Sequence, residues 1–199
     1  MRVDLRLIAE MVAEGSRVLD IGCGDGALIA DLERRLGCDA RGLEIDMQLT
    51  SEAIARGLSV VQGDADSDLA HFPDDGFDYV VLSRTLQAVA RPREVLRQML
   101  RIGRRAIVSF PNFGHWPVRL HLAVRGRMPM TKAWSRQWYE TPNIHPCTIR
   151  DFFALCAADG YGIETWLAAD DAGNRVRWRR VGSANLLAEQ GVFLLRRAG

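Results

Sequence analysis

Three carboxylates in the first 64 residues are the groups best placed to do chemistry. Asp20 precedes the glycine-rich run Gly22-Cys-Gly-Asp-Gly26, Glu44 stands twenty residues beyond Gly24, and Asp64 follows Gly63. Glycines at such a turn let the backbone bend sharply and come close to a ligand. The N–H groups at the start of the following helix then point toward that ligand. An acid at the end of the next strand would grip ribose hydroxyls, and Glu44 supplies it. With Ala27 the loop also satisfies the G-x-G-x-x-G/A pattern through Gly22, Gly24 and Ala27, a match that is weak by itself.

Charge separates the ligand classes that use this device. Asp20 lies two residues before Gly22 and Asp25 lies inside the loop. A dinucleotide pyrophosphate would be repelled by carboxylates so close, whereas the sulfonium and ammonium of S-adenosylmethionine are attracted by them. Asp64, just after a strand, is placed to accept from an adenine amino group. The reading is therefore a site for S-adenosylmethionine or its product S-adenosylhomocysteine, with a nicotinamide dinucleotide disfavoured.

The elements that must position these residues can be traced by periodicity. Leu5, Ile8, Met11 and Val12 predict a helix over 5–14 with Asp4 as N-cap, followed by a strand at Arg17–Ile21. Helices are expected at 27–36 and 47–56, with strands at 39–44, 58–62 and 77–83. Pro92 opens a helix to about Ile102, before a strand at 105–110. Strands alternating with helices imply a parallel sheet covered on both faces. Asp20, Glu44 and Asp64 then fall at successive C-terminal strand ends, the usual ligand edge of such sheets. Beyond Pro111 the rhythm breaks. Residues 112–147 read as a short helix with long loops, and a capping box at Thr148–Asp151 starts a helix to about Ala158. Residues 162–168 and 190–197 read as two final antiparallel strands, separated by a turn at 170–174 and a basic stretch at 175–180.

Composition sets the limits. The chain has 199 residues, 48% hydrophobic and 26% charged, which suits one soluble globular domain. Its net charge of +1 hides a split: residues 1–83 carry 17 acids and 7 bases, and residues 84–199 carry 8 acids and 19 bases. All five Trp lie in the basic portion, and 25 of the 26 basic residues are Arg. The bases are scattered and form no RNA-binding motif, so a nucleic-acid partner is disfavoured. Cys23, Cys38, Cys147 and Cys156 form no C-x-x-C pair and read as reduced thiols of a cytoplasmic protein. There is no secretory leader pattern at the start and no apolar run of the roughly 18 residues a membrane span needs.

The pattern Asp20-x-Gly22-x-Gly24-x-Gly26, Glu44, Gly63-Asp-Ala65 and Phe77–Leu82 resembles a class I S-adenosylmethionine-dependent methyltransferase. Further on, Ser109–Trp116, Gly126–Pro129 and Trp138–His145 resemble the methionine biosynthesis protein W (MetW) family, and that resemblance runs through the whole chain. It implies a Rossmann-like class I methyltransferase fold: α/β, with a mostly parallel central sheet of about seven strands, helices on both faces and a C-terminal antiparallel strand. One domain over 1–199 is expected, with 112–147 as an inserted lid or partner segment. The implied cofactor site comprises Asp20, Gly22, Gly24 and Gly26 on the methionine side, Glu44 at the ribose, Asp64 and Ala65 at the adenine, and in addition Cys23, Ile45 and Ser83. Family members are associated with a homoserine O-acyltransferase, which they help to activate as a protein partner. The resemblance assigns no chemical step.

The residues themselves leave methyl transfer to a small molecule open. His115, Tyr139, Glu140 and His145 could line an acceptor side, and Trp116, Trp134 and Trp138 could form a pocket wall or a protein contact. Ser83 has no evident His–Asp relay, and no set of three or four metal ligands has suitable spacing.

Overall fold

A computed structural model describes residues 2–131, 136–170, 174 and 180–197. The turn expected at 170–174 and the basic stretch at 175–180 lie mostly outside the described residues, as does Trp134. The chain runs α1 (Val3–Ala9), β1 (Arg17–Ile21), α2 (Ala27–Leu36), β2 (Asp39–Glu44), α3 (Met47–Ala55) and β3 (Val60–Gln62). A single 3₁₀ turn at Asp68–His71 precedes β4 (Phe77–Ser83), α4 (Pro92–Ile102) and β5 (Gly103–Pro111). Then follow α5 (Trp116–Arg125), α6 (Ile149–Asp159), β6 (Gly162–Ala169), α7 (Val181–Leu187) and β7 (Gln190–Arg196).

The strands form one seven-stranded sheet in the order β3-β2-β1-β4-β5-β7-β6. β1 pairs in parallel with both β2 and β4, β2 with β3, and β4 with β5. β7 is antiparallel to both β5 and β6. The parallel part is what the alternating sequence rhythm implies, and the antiparallel pairing of β6 with β7 is the one expected of the two final strands. The order reverses between β1 and β4, so a crevice opens at their C-terminal ends.

Side chains on a strand alternate between faces, and here both faces are dry. On β4, Val80 and Leu82 join a core with Leu96 and Met99 of α4 and with Phe152 of α6. Tyr79 and Val81 join the opposite core with Ile8 of α1, Leu28, Ile29 and Leu32 of α2, and Ala53 of α3. Near-continuous apolar runs are what a parallel strand covered on both sides requires. Phe110, Phe152 and Phe193 are fully buried and mutually packed. Trp166 stacks on Phe193 and meets Phe153 edge-on, so this Trp is structural.

The sequence expectation differs from the structure mainly at the N-terminus. α1 ends at Ala9, because Met11 N–H and Val12 N–H donate to Ile8 and Ala9 carbonyls in i→i+3 turns that turn Val12 into the core. Asp4 is not the N-cap. That position is Arg2, without a side-chain cap, while Asp4 lies buried in the first turn. The 3₁₀ turn and α7 are additional elements that the periodicity does not mark.

Candidate functional site

The glycine loop between β1 and α2 is held in left-handed turns at Gly22, Gly24 and Gly26, with φ of 69°, 59° and 76°. A Cβ on Gly22 would stand 2.5 Å from Thr85 Oγ1, so the loop can lie against the chain leaving β4 only because that residue is glycine. Gly24 has no such neighbour within 4 Å and borders open space.

Glu44, at the end of β2, organises this loop. Its Oε2 accepts a hydrogen bond from Gly24 N–H at 2.7 Å, and its Oε1 accepts from Asp46 N–H at 3.0 Å. Asp46 in turn caps α3, accepting from Gln48 and Leu49 N–H. A carboxylate has about four acceptor sites, so Glu44 keeps free lone pairs for ligand hydroxyls while fixing the loop. The same bond bears on ligand class. The Gly24 amide that a pyrophosphate would call on is already engaged by a negative charge.

Asp20 is 2% exposed near the end of β1, and its Oδ1 has no hydrogen-bond donor among the described residues. Burial pushes its pKa up to about 7; the nearby Arg2 charge opposes the rise, and Glu44 and Asp4 add to it. A buried acid with an unpartnered oxygen beside a second carboxylate is a local demand for positive charge. Cys23 packs behind the loop, close enough to Gly42 that a Cβ there would meet its Sγ at 2.5 Å. Burial, with Asp20 and Glu44 nearby, raises its thiol pKa, so it stays neutral and offers the site only its backbone. Asp25 points outward, where it pairs with Arg56 at 3.1 Å, and its charge reaches the loop only as the weakest of the influences on Cys23.

Beside the loop lies a cleft of about 210 Å³, walled by Gly22, Leu43, Ile45, Asp64, Ala65 and Thr85. Its far wall, residues 88–90, is tied in by Asp66, whose two oxygens accept from Ala90 N–H at 2.7 Å and Arg91 N–H at 2.8 Å. Asp66 thereby satisfies amides at the start of α4, whose N-cap Arg91 makes no side-chain cap of its own. Asp64 stands at this cleft with its Oδ1 accepting from Asp66 N–H at 2.8 Å. The structure thus gathers Gly22, Ile45, Asp64 and Ala65 on one cleft, with Gly24 and Glu44 joined at its loop side. The sequence reading lacked Thr85 and Asp66. Thr85 lies in the family-like run Ser83–Ala88 but carries no ligand-type signal there, and Asp66 could have been suspected only from the uncapped Pro92 helix.

Ser83 stands at the end of β4 but is engaged by the chain's own groups. It donates to Asp4 Oδ2 at 2.8 Å, and its oxygen accepts from Arg2 Nη2 at 2.7 Å. Arg84, in the left-handed region with φ 58°, reaches Asp4 at 3.5 Å and Gln190 at 3.1 Å. Asp4, Ser83 and Ser109 are all buried, so α1 closes this end of the crevice with a polar network.

The candidates from the later segment separate. Ile144 and His145 N–H both donate to the Gln87 carbonyl, at 2.8 and 3.0 Å, and His145 Nε2 is 3.3 Å from the Ala90 carbonyl. His145 is therefore tied to the segment that forms the cleft's far wall, without lining the cleft itself. Trp138, Tyr139 and Glu140 are exposed, and Trp138 and Tyr139 line a different groove. Among the described residues, no three His, Cys, Asp or Glu side chains group to hold a metal ion, and no helix is long and apolar enough to cross a membrane.

Strand order, the glycine loop and the acid at the end of β2 together define a class I S-adenosylmethionine-dependent methyltransferase fold. A solved S-adenosylmethionine-dependent methyltransferase from Mesorhizobium loti superposes with a TM-score of 0.71 over 98% of each chain, at 17% identity. The family model for methionine biosynthesis protein MetW matches residues 2–195, and the chain belongs to that family. It is 40% identical over 160 residues to the bifunctional methionine biosynthesis protein MetXA/MetW of Rhodopirellula baltica, an alignment covering 76% of this chain and 26% of that protein. It is also 32% identical over 113 residues to the ubiquinone/menaquinone biosynthesis C-methyltransferase UbiE of Azotobacter vinelandii, covering 50% of this chain and 44% of that protein. The chain thus spans about a quarter of the first relative's length and less than half of the second's.

Proposed function

We propose that this chain binds S-adenosylmethionine or S-adenosylhomocysteine in the cleft at the ends of β1, β2 and β4, and acts in methionine biosynthesis as the activating partner of a homoserine O-acyltransferase. The observation that carries the ligand reading is Asp20, a buried carboxylate with an unpartnered oxygen beside Glu44. A cationic ligand answers that demand and a pyrophosphate does not. Glu44 would hold ribose hydroxyls on its remaining lone pairs, Asp64 and Ala65 would face the adenine, and Ile45 would cover it. The glycines keep the loop low enough for close approach, with Cys23 packed behind.

The partner reading draws on the family resemblance and on the Rhodopirellula relative, in which MetXA and MetW parts share one protein. In this reading residues 112–147 form the lid or partner segment of a single domain, and the protein works in the cytoplasm without nucleic acid or membrane. S-adenosylmethionine lies downstream of methionine, so ligand could set partner affinity. That coupling requires unequal affinity of the ligand for free and partner-bound protein, and it is reciprocal. The test is a pull-down from native extract with and without added S-adenosylmethionine. Recovery of the acyltransferase supports the reading, and ligand-independent recovery removes the feedback.

A second reading, methyl transfer to a small molecule, draws on the His145 imidazole next to the cleft wall: its Nε2 lies 3.3 Å from the Ala90 carbonyl, which leaves Nδ1 to serve as a base. When bound, the cofactor supplies an activated methyl group for in-line displacement, and positioning does much of the rest. Release of S-adenosylhomocysteine from a metabolite extract, lost in Gly24→Arg, would support it. A Gly24→Arg variant that keeps pathway function would exclude any cofactor role.

A further inference from the structure

Among the described residues, seven of the fourteen exposed large hydrophobics lie in α5 and the segment that follows it to Tyr139. In α5, Trp116, Leu120 and Val124 are 49%, 53% and 73% exposed. They recur every fourth residue and so form one stripe on the helix, while the buried Val118 faces the other way. An amphipathic helix ordinarily turns such a stripe inward. Beyond the Gly126 cap, Met128, Met130, Trp138 and Tyr139 are also exposed, and they line a groove of about 850 Å³ with His121 and Arg125. The Trp138 and Tyr139 rings meet edge-on with centroids 5.5 Å apart, an aromatic pair on the surface.

The charge around this face is predominantly positive. Among the described residues of 116–131 and 136–140 there are four arginines (Arg119, Arg125, Arg127 and Arg136) against a single acid, Glu140. Exposed Trp, Tyr, Met and Arg together are the composition of a protein-binding centre. Contiguous apolar surface on a free chain marks such a site more often than chance exposure does.

We infer that the stripe of α5 and the Trp138 groove form the docking surface for the acyltransferase partner, which meets it with an apolar patch rimmed by carboxylates. This inference rests on the partner reading above and adds where and by what chemistry the contact is made. The aromatic pair and the methionines supply the desolvated centre, and the arginines select an acidic rim and steer its approach. The groove and the cofactor cleft share no lining residue, so the docking surface is distinct from the ligand site.

The test titrates the full-length wild-type chain, Val124→Glu and Trp138→Ala with the purified homoserine O-acyltransferase of the same organism. Ile54→Glu, an exposed apolar position on α3, is the control. Each variant is first shown to keep wild-type thermal unfolding and S-adenosylhomocysteine affinity. The expected result is at least tenfold weaker partner binding for Val124→Glu and Trp138→Ala, no change for Ile54→Glu, and a slower, less salt-sensitive association for Arg125→Glu. Wild-type partner affinity in both surface variants overturns the surface while leaving the partner reading standing. A wild-type chain that binds no acyltransferase overturns both. Wild-type self-association abolished by Val124→Glu, or oligouridine binding lost in Arg125→Glu, would reassign the face to a second copy or to RNA.

Discussion

The Glu44 carboxylate receives the Gly24 backbone N–H at 2.7 Å, tying the end of β2 to the glycine loop that follows β1. With Asp46 N–H on its other oxygen, Glu44 is a structural clamp as well as a candidate ribose ligand. Glu44→Gln keeps the size but turns one acceptor into a donor, so one of the two amides loses its partner. Losing a hydrogen bond to a charged group at a half-buried amide that water can reach costs about 1–2 kcal/mol. We expect Glu44→Gln to lower unfolding free energy by that amount in ligand-free protein, and to weaken S-adenosylmethionine binding by at least tenfold in calorimetry. Loss of affinity with unchanged stability would show that the clamp contributes nothing to the loop.

Asp20 predicts a pH dependence of opposite sign for stability and for binding. Its folded pKa, about 7, lies above the ordinary value of 3.8. The folded state therefore holds this proton more tightly than the unfolded chain. Its contribution to stability is present below about pH 4, declines as pH rises toward 7, and is level above that. The span corresponds to about 4 kcal/mol at most. Asp20→Asn, which carries no charge, should be more stable than the wild type at pH 8 and gain little at pH 4, as read by urea unfolding. Affinity for a cationic ligand runs the other way in the wild type. It should rise as pH passes from 6 to 8, and Asp20→Asn should bind weakly and without that rise.

Gly22 and Gly24 both have positive φ, yet their surroundings separate them. A Cβ at Gly24 meets nothing within 4 Å, so Gly24→Ala bears only the left-handed backbone cost of about 1–2 kcal/mol. A Cβ at Gly22 would press on Thr85 Oγ1 at 2.5 Å. Gly22→Ala should therefore be the more destabilising, and Thr85→Ser, which removes the methyl but keeps the hydroxyl, should leave most of that deficit in place. Equal unfolding midpoints for the two glycine variants would mean that the loop shifts away from β4 at no cost.

Much of this arrangement could be read from the chain. Asp20, Glu44 and Asp64 fall at strand ends because apolar runs and glycine stops locate β1, β2 and the end of β3 closely. The antiparallel pairing of the last two strands was legible for the same reason. The polar network of Arg2, Asp4, Ser83 and Arg84 was not, since it joins residues some 80 positions apart and a helical pattern cannot tell a cap from a buried carboxylate. The role of Asp66 was hidden likewise. It accepts from amides 24 and 25 residues away, at the entry to a helix whose N-cap offers no capping side chain. Long-range side-chain-to-backbone bonds leave no periodic trace.

The same limit applies to Asn112, which stands within a family-marked segment with no role assigned by sequence. It is 1% exposed, and its amide nitrogen donates to the Asn185 and Ala188 carbonyls at 2.9 and 2.8 Å. Its amide oxygen accepts from Gly114 and Ile149 N–H at 3.0 and 3.2 Å. One side chain thereby joins the turn after β5, the start of α6 and the end of α7, with all of its capacity used. Asn112→Asp keeps the acceptor but sets a carboxylate against two carbonyls, and Asn112→Ala leaves four backbone groups without this partner. Both should lower unfolding free energy by roughly 2–4 kcal/mol, and Asn112→Asp should be the worse of the two above pH 6. Because α5 follows that turn directly, partner binding should weaken along with stability. The cofactor cleft, built from β1, β2 and residues 63–66 and 85–90, should keep its affinity in whatever fraction remains folded, as measured at 10 °C.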